Sequence, residues 1–203
     1  MPEEAQGMAE SLPGPVGHAR RVAHERVSVG AASYHRRVGF FEATIRSLNE
    51  AGVRYVIVGG LAVILHGHVR TTRDLDVVLD LEPAEARKAI ETLVRAGLVP
   101  TVPVDALDFA DPAKRQEWRD EKNMIVFSMR DPKDDFRRVD LFVEELIEFS
   151  ELLKRSVVVP LQSTTARIAS ISDLIDLKTR AGRPIDVDDI SALRVILEAK
   201  ADG

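Results

Sequence analysis

Residues 53–80 constrain the fold of this chain more than any other stretch. Val53 to Val58 is a short run rich in β-branched residues and reads as a buried strand. Gly59 and Gly60 follow at once, and Leu61 to His66 then reads as a short helix. Arg73 to Asp80 sets Leu75, Val77 and Leu79 against Asp74, Asp76, Val78 and Asp80, the alternation of a second strand. Side chains two apart on a strand share a face, so Asp74 and Asp76 project together. Such a pair is in many proteins a solvated face or edge protection. The other reading is chemical. Two adjacent carboxylates raise each other's pKa unless a cation lies between them, and Mg²⁺, a hard ion that takes oxygen ligands and keeps sites for phosphate, suits that place. Two glycines at a strand-to-helix junction supply the complement, because a backbone without Cβ lets a phosphate approach the first N–H groups of a helix.

Asp140 is the third acidic candidate. Asn123 to Met129 and Arg137 to Val143 read as strands, with the polar stretch Asp131 to Asp135 as the turn of a hairpin. Asp140 stands alone between Val139 and Leu141. If its strand lies beside the first pair, three carboxylates converge and two Mg²⁺ ions can be shared, one serving an attacking hydroxyl and one a leaving pyrophosphate.

The rest of the chain frames this unit. Phe40, Phe41, Ile45 and Leu48 recur at helical spacing before Asn49 to Gly52 break the helix. Pro83 opens a helix that stops at Gly97, and Leu98 to Val104 is a further strand candidate. Asp105 to Asp120 shows no clear period, though Asp111-Pro112 marks a turn and Trp118 is expected to pack. A short helix near Leu146 to Leu153 and strands at Val157 to Leu161 and Ala166 to Ala169 follow. Ser172 is read as the cap of a helix over Asp173 to Arg180, ended by Gly182-Arg183-Pro184. Asp186 is read as the cap of the last helix, with Asp188 and Asp189 complementing its dipole. The expected architecture is α+β: a mixed β-sheet backed by helices, with a helical C-terminal segment. Residues 1–36, punctuated by Pro and Gly and dense in His and Arg, read as a disordered tail, and 37–203 as one domain.

Composition narrows function. With no cysteine among 203 residues, disulfides, thiolate-bound zinc and a thiol nucleophile are excluded. A net charge of −5 lacks the basic footprint of sequence-independent nucleic-acid binding. No apolar run reaches membrane-spanning length, and Met1 to Gly17 carries Glu, Pro and Gly where a secretory leader needs an apolar stretch, so a cytoplasmic protein is expected. Neither Gly-x-x-x-x-Gly-Lys-Ser/Thr nor Gly-x-Gly-x-x-Gly occurs.

The run Val58-Gly59-Gly60, then Arg70-Thr71-Thr72-Arg73-Asp74-Leu75-Asp76, with Val139-Asp140-Leu141 further on, resembles the signature of the DNA polymerase beta-like nucleotidyltransferase superfamily. With His66-Gly67 and Arg70-Thr71 it is most similar to small bacterial members, the aminoglycoside- and lincosamide-adenylyltransferase-like proteins and the abortive-infection-toxin type. The resemblance covers about residues 40–200. It implies the nucleotidyltransferase fold, with Gly59 and Gly60 at the triphosphate and Asp74, Asp76 and Asp140 as catalytic metal ligands. It also implies that Lys178, on a helix facing the site, touches phosphate. Arg70 and Arg73 could steady phosphates or be solvated loop residues. His66 is expected to contact nucleotide or brace its loop, and His68 to be structural or exposed. The implied activity is Mg²⁺-dependent transfer of a nucleoside monophosphate from a nucleoside triphosphate to a hydroxyl or phosphate acceptor: a small molecule, a tRNA or a protein. The competing reading is a non-catalytic nucleotide-binding partner in a toxin–antitoxin pair, allied to the product of a neighbouring gene. A sugar-transferring enzyme with a metal-binding Asp-x-Asp ranks below both.

Overall fold

The computed structural model describes residues 39–201; the expected tail at 1–36 lies outside them. A helix over 39–50 (α1) leads through the left-handed Gly52 into β1 (Tyr55–Ile57). There follow α2 (Gly59–Leu65), β2 (Asp74–Leu79), α3 (Pro83–Arg95), β3 (Val99–Pro100), a 3-10 turn (Ala106–Ala110) and α4 (Pro112–Lys122). The chain ends with β4 (Val126–Asp131), β5 (Asp134–Phe142), α5 (Phe149–Arg155), β6 (Val157–Pro160), β7 (Thr165–Ile168), α6 (Ile171–Ala181) and α7 (Pro184–Ala201). The strands form one seven-stranded mixed sheet in the order β3-β4-β5-β2-β1-β7-β6. β2 is antiparallel to β1 and parallel to β5, and β1 is parallel to β7. This is the α+β architecture expected, with α6 and α7 as its helical C-terminal segment.

Alternation along the central strands separates a core face from a cleft face. Leu75 is opposite Val139, Val77 opposite Leu141, and these in turn face Met129 and Phe127. All six are fully buried. Trp118 of α4 seals this side by stacking on Phe127, ring centroids 5.2 Å apart and planes 6° apart. The opposite face of the same strands carries Asp74, Asp76, Arg138, Asp140 and Ser128. Because the side-chain period is two, burying the apolar set on one side obliges the acids onto the other.

Several local expectations are corrected. The strand expected at Leu98 to Val104 is only the two residues of β3, after which Asp105 caps the 3-10 turn through Leu107 N–H at 2.8 Å. The illegible stretch to Asp120 is largely helix α4, capped by Asp111 through Ala113 N–H at 2.8 Å. Its apolar side is too sparse to show a period, and Arg115 is buried by donating to the carbonyls of Phe109 and Leu81. β4 begins at Val126, since Asn123 in left-handed conformation ends α4. The hairpin turn is tighter than the polar stretch suggested: Asp131 pairs with Asp134, leaving Pro132-Lys133 at the tip. Ser170, not Ser172, caps α6. Its hydroxyl accepts from Asp173 N–H at 3.1 Å and donates to the Asp173 carboxylate at 2.6 Å, an N-cap that carries the helix start back to Ile171. The last helix starts at Pro184, so Asp186 lies inside its first turn. Among the described residues no helix is long and apolar enough to cross a membrane.

Candidate active site

The parallel ladder between β2 and β5 builds the site. It sets Asp76 directly opposite Asp140 and Asp74 directly opposite Arg138, while β4 sets Ser128 opposite Asp140. Directly paired residues on one face lie a few ångströms apart, so the three predicted acids share one patch of wall. Around them is a cleft of about 490 Å³. Val58, Gly59 and the acids line one side, Ile125, Val126, Phe142 and Leu146 another, and Leu174, Leu177, Lys178 and Arg183 of α6 and its exit a third. A cavity of this volume is the size of a single small-ligand site, with an apolar lining and a few convergent polar groups.

From β2, the Asp76 carboxylate reaches the junction of β1 and α2. Its carboxylate accepts from the Gly60 N–H, yet its pKa is pushed up to about 7 by withdrawal from water and by the charges of Asp74 and Asp140. Asp140 is raised as well, chiefly by burial, with the Ser128 hydroxyl and the Arg138 charge working the other way. A raised carboxyl pKa means that the folded chain holds a proton the unfolded chain releases. Stability from this source is therefore present at low pH and lost as pH rises from about 4 through about 7. In chelator, the melting temperature of Asp76→Asn relative to wild type should climb across that window. A constant offset between the two proteins from pH 5 to pH 8 would show that Asp76 ionises normally.

Both glycines are required by clearance. Gly59 has φ +62°, and a Cβ placed there would lie 1.9 Å from Oδ2 of Asp76. A Cβ on Gly60 would lie 2.5 Å from the Thr72 hydroxyl. The Gly-Gly step thus opens space for the Asp76 carboxylate and for the 70–72 loop. Gly59 lines the cleft; Gly60 is buried beneath that loop, its N–H given to Asp76. Gly59→Ala should cost roughly 1–3 kcal/mol from left-handed strain alone and push Asp76 aside. The measurement is chemical denaturation beside a nucleotide-binding titration, with both expected to weaken.

The remaining predicted residues divide. Lys178 does face the cleft, but it is 4% exposed and donates to Asp186 at 3.1 Å and to Asp189 at 2.6 Å. Arg70 also donates to Asp189, and Arg183 donates to Asp186 at 2.9 Å. An alternating chain Arg70–Asp189–Lys178–Asp186–Arg183 therefore ties the loop before β2 to α6 and α7. Asp186 and Asp189, each 1% exposed, are buried partners of cations rather than surface dipole charges; only Asp188 of the three is exposed. His66 donates from Nε2 to the Ala169 carbonyl at 2.8 Å, and burial lowers its pKa, so it braces the loop as a neutral ring. His68 stands 4.0 Å from Asp189. Arg73 is exposed and outside the cleft lining, on the opposite parity from Asp74.

Arg138 and Ser128 were missed. Their signal was parity: Arg138 is two residues before Asp140 and must share its face. Among the described residues no three acidic or histidine side chains close around one point as a metal cage would. The donor set nonetheless fits a hard divalent ion. It is all carboxylate oxygen, and Oδ1 of Asp140 is buried without a hydrogen-bond partner.

Among solved structures, the chain is similar to ANT(2'')-Ia in complex with adenylyl-2''-tobramycin, at 15% identity and TM-score 0.53 over 82% of this chain and 92% of that one. It is also similar to the lincosamide antibiotic adenylyltransferase LnuA, lincomycin-bound, at 16% identity and TM-score 0.52 over 78% and 96%. At such identity the likeness is one of fold. No curated protein sequence matches the chain. The family model described as "Nucleotidyltransferase of unknown function (DUF6036)" matches residues 42–202, nearly all of the described fold, and the chain belongs to that nucleotidyltransferase family.

Proposed function

We propose that this protein transfers a nucleoside monophosphate from a nucleoside triphosphate to a hydroxyl or phosphate acceptor, releasing pyrophosphate, with Mg²⁺ held by Asp74, Asp76 and Asp140. The observation that carries the reading is the ladder register that puts Asp76 opposite Asp140 on the cleft face, beneath Gly59. When bound, the divalent ions would neutralise charge on the triphosphate and favour departure of pyrophosphate. The chain's own residues do the rest. Asp140, a carboxylate on the cleft face opposite Asp76, takes the proton of an acceptor hydroxyl as the new oxygen–phosphorus bond forms and the bond to pyrophosphate breaks. Arg183, whose side chain is largely exposed, brings positive charge to the wall facing the acids and suits the phosphates, while Lys178 behind it is held by Asp186 and Asp189. Ile125, Phe142, Leu174 and Leu177 offer an apolar surface to a nucleobase.

The acceptor could be a small molecule, a tRNA or a protein. The cleft has the volume of one ligand, so the acceptor is expected to enter from its mouth. The deciding experiment measures pyrophosphate from each of the four triphosphates with Mg²⁺, across aminoglycoside, lincosamide, tRNA and protein acceptors. Mass spectrometry then looks for acceptors heavier by one nucleoside monophosphate. Tight triphosphate binding with no pyrophosphate from any acceptor would instead support the non-catalytic partner reading.

A further inference from the structure

Arg138 occupies a position that the reaction scheme does not use. The β2–β5 ladder makes a square on the cleft face, with Asp74 beside Arg138 and Asp76 beside Asp140. Arg138 Nη2 lies 3.7 Å from Asp74 Oδ2, and Nε lies 3.5 Å from Asp140 Oδ1. Neither contact is a hydrogen bond: Nε of Arg138 and Oδ1 of Asp140 are both buried without a partner. The guanidinium is therefore held across two acids by charge, at distances too long to satisfy either end. On its other side the ladder presents Arg130, a like charge already bonded to Asp135 at 2.8 Å. That neighbour gives Arg138 nothing to bind and repels it toward the acids.

We propose that Arg138 is a tethered counter-ion: it neutralises Asp74 and Asp140 while no divalent ion is present, and yields them more readily to a cation that arrives with a triphosphate. A guanidinium makes charge-assisted, bidentate bonds to phosphate oxygens, so the incoming nucleotide supplies the partner Arg138 lacks on the acid wall. The cation alone displaces the Arg138 guanidinium, whose side chain is 43% exposed, only into water. The cation with nucleotide exchanges one set of contacts for a better one. Arg138 is thus a positioning residue that makes metal binding depend on nucleotide, and the inference rests on the proposed transferase reading.

The test uses Mn²⁺ as probe, followed by electron paramagnetic resonance on the full-length protein, alone and with a non-hydrolysable triphosphate analogue. Wild type is expected to bind Mn²⁺ weakly alone and about tenfold or more tightly with analogue, within the ordinary range of coupling between two ligands. Arg138→Gln is expected to bind Mn²⁺ alone more tightly than wild type and to lose most of the gain from analogue. Arg138→Lys, which keeps the charge but not the fork, should hold off Mn²⁺ while recovering only part of the gain. Melting in chelator provides the folding control: Arg138→Gln should melt lower than wild type and regain the difference when Mn²⁺ is added. Equal or weaker Mn²⁺ binding by Arg138→Gln, with a melting difference that Mn²⁺ does not close, would overturn the proposal while leaving the transferase reading intact. Failure of wild type and variant alike to bind Mn²⁺, with or without analogue, would overturn both.

Discussion

Asp76→Asn and Asp140→Asn should each lower pyrophosphate release by about a thousandfold, roughly 4 kcal/mol of transition-state stabilisation, while the proteins remain folded. Both carboxylates are raised in pKa chiefly by burial and further by acidic neighbours, Asp76 by Asp74 and Asp140, and Asp140 by Asp74. An amide has nearly the same shape and no charge, so it relieves that repulsion. In chelator at pH 8 the melting temperature of Asp76→Asn should therefore equal or exceed that of wild type. Loss of turnover with stability retained or raised is the signature of a group kept for chemistry against the interest of the fold. A structural acid would behave the other way, losing stability and function together. Turnover within tenfold of wild type for both variants would remove these residues from the reaction.

The same residues show how far a sequence can be read. Asp74 and Asp76 were legible because a period of two fixes which side chains share a face, and Asp140 because an acid isolated between Val139 and Leu141 has few other reasons to be there. The α+β order, with its central hairpin, followed from apolar runs and turn residues in the same way. What sequence alone left open was the register that sets Asp76 against Asp140, because it depends on how the Leu75–Val139 and Val77–Leu141 pairs fit the core. Arg138 obeys the same parity rule, but an arginine on a strand reads as an ordinary solvated side chain until the ladder sets it against Asp74. Helix α4 was illegible for another reason. It is anchored by Trp118 and a buried Arg115, and a buried arginine looks in sequence like a solvated one. Reading Asp186 and Asp189 as dipole charges failed on the same ground: burial of a charge is decided by partners far away in the chain, here Lys178 and Arg70.

Those distant partners give the largest expected effect on stability. Asp189→Ala should destabilise the protein by about 3–5 kcal/mol, the usual cost of removing one partner from a buried ion pair, and lower the melting temperature by roughly 10 °C. Asp189 is 1% exposed and accepts from Lys178 and Arg70 together. Its loss leaves Arg70 without a carboxylate and Lys178, itself 4% exposed, with Asp186 alone. The neighbouring Asp188 is exposed, so Asp188→Ala supplies the control and should change stability by no more than about 0.5 kcal/mol. Chemical denaturation of the two variants beside wild type measures both. The effect should extend past stability, because Arg70 belongs to the loop over Gly60 and Lys178 to the wall opposite the acids. Removing Asp189 unties the α6 wall of the cleft from α7 at the point where the loop, α6 and α7 meet. Nucleotide affinity should therefore fall in Asp189→Ala even under conditions where the variant is fully folded. A loss of stability below about 1 kcal/mol would mean that Lys178 and Arg70 find other partners and that α7 is held by its apolar contacts at Leu193 and Ile196 instead.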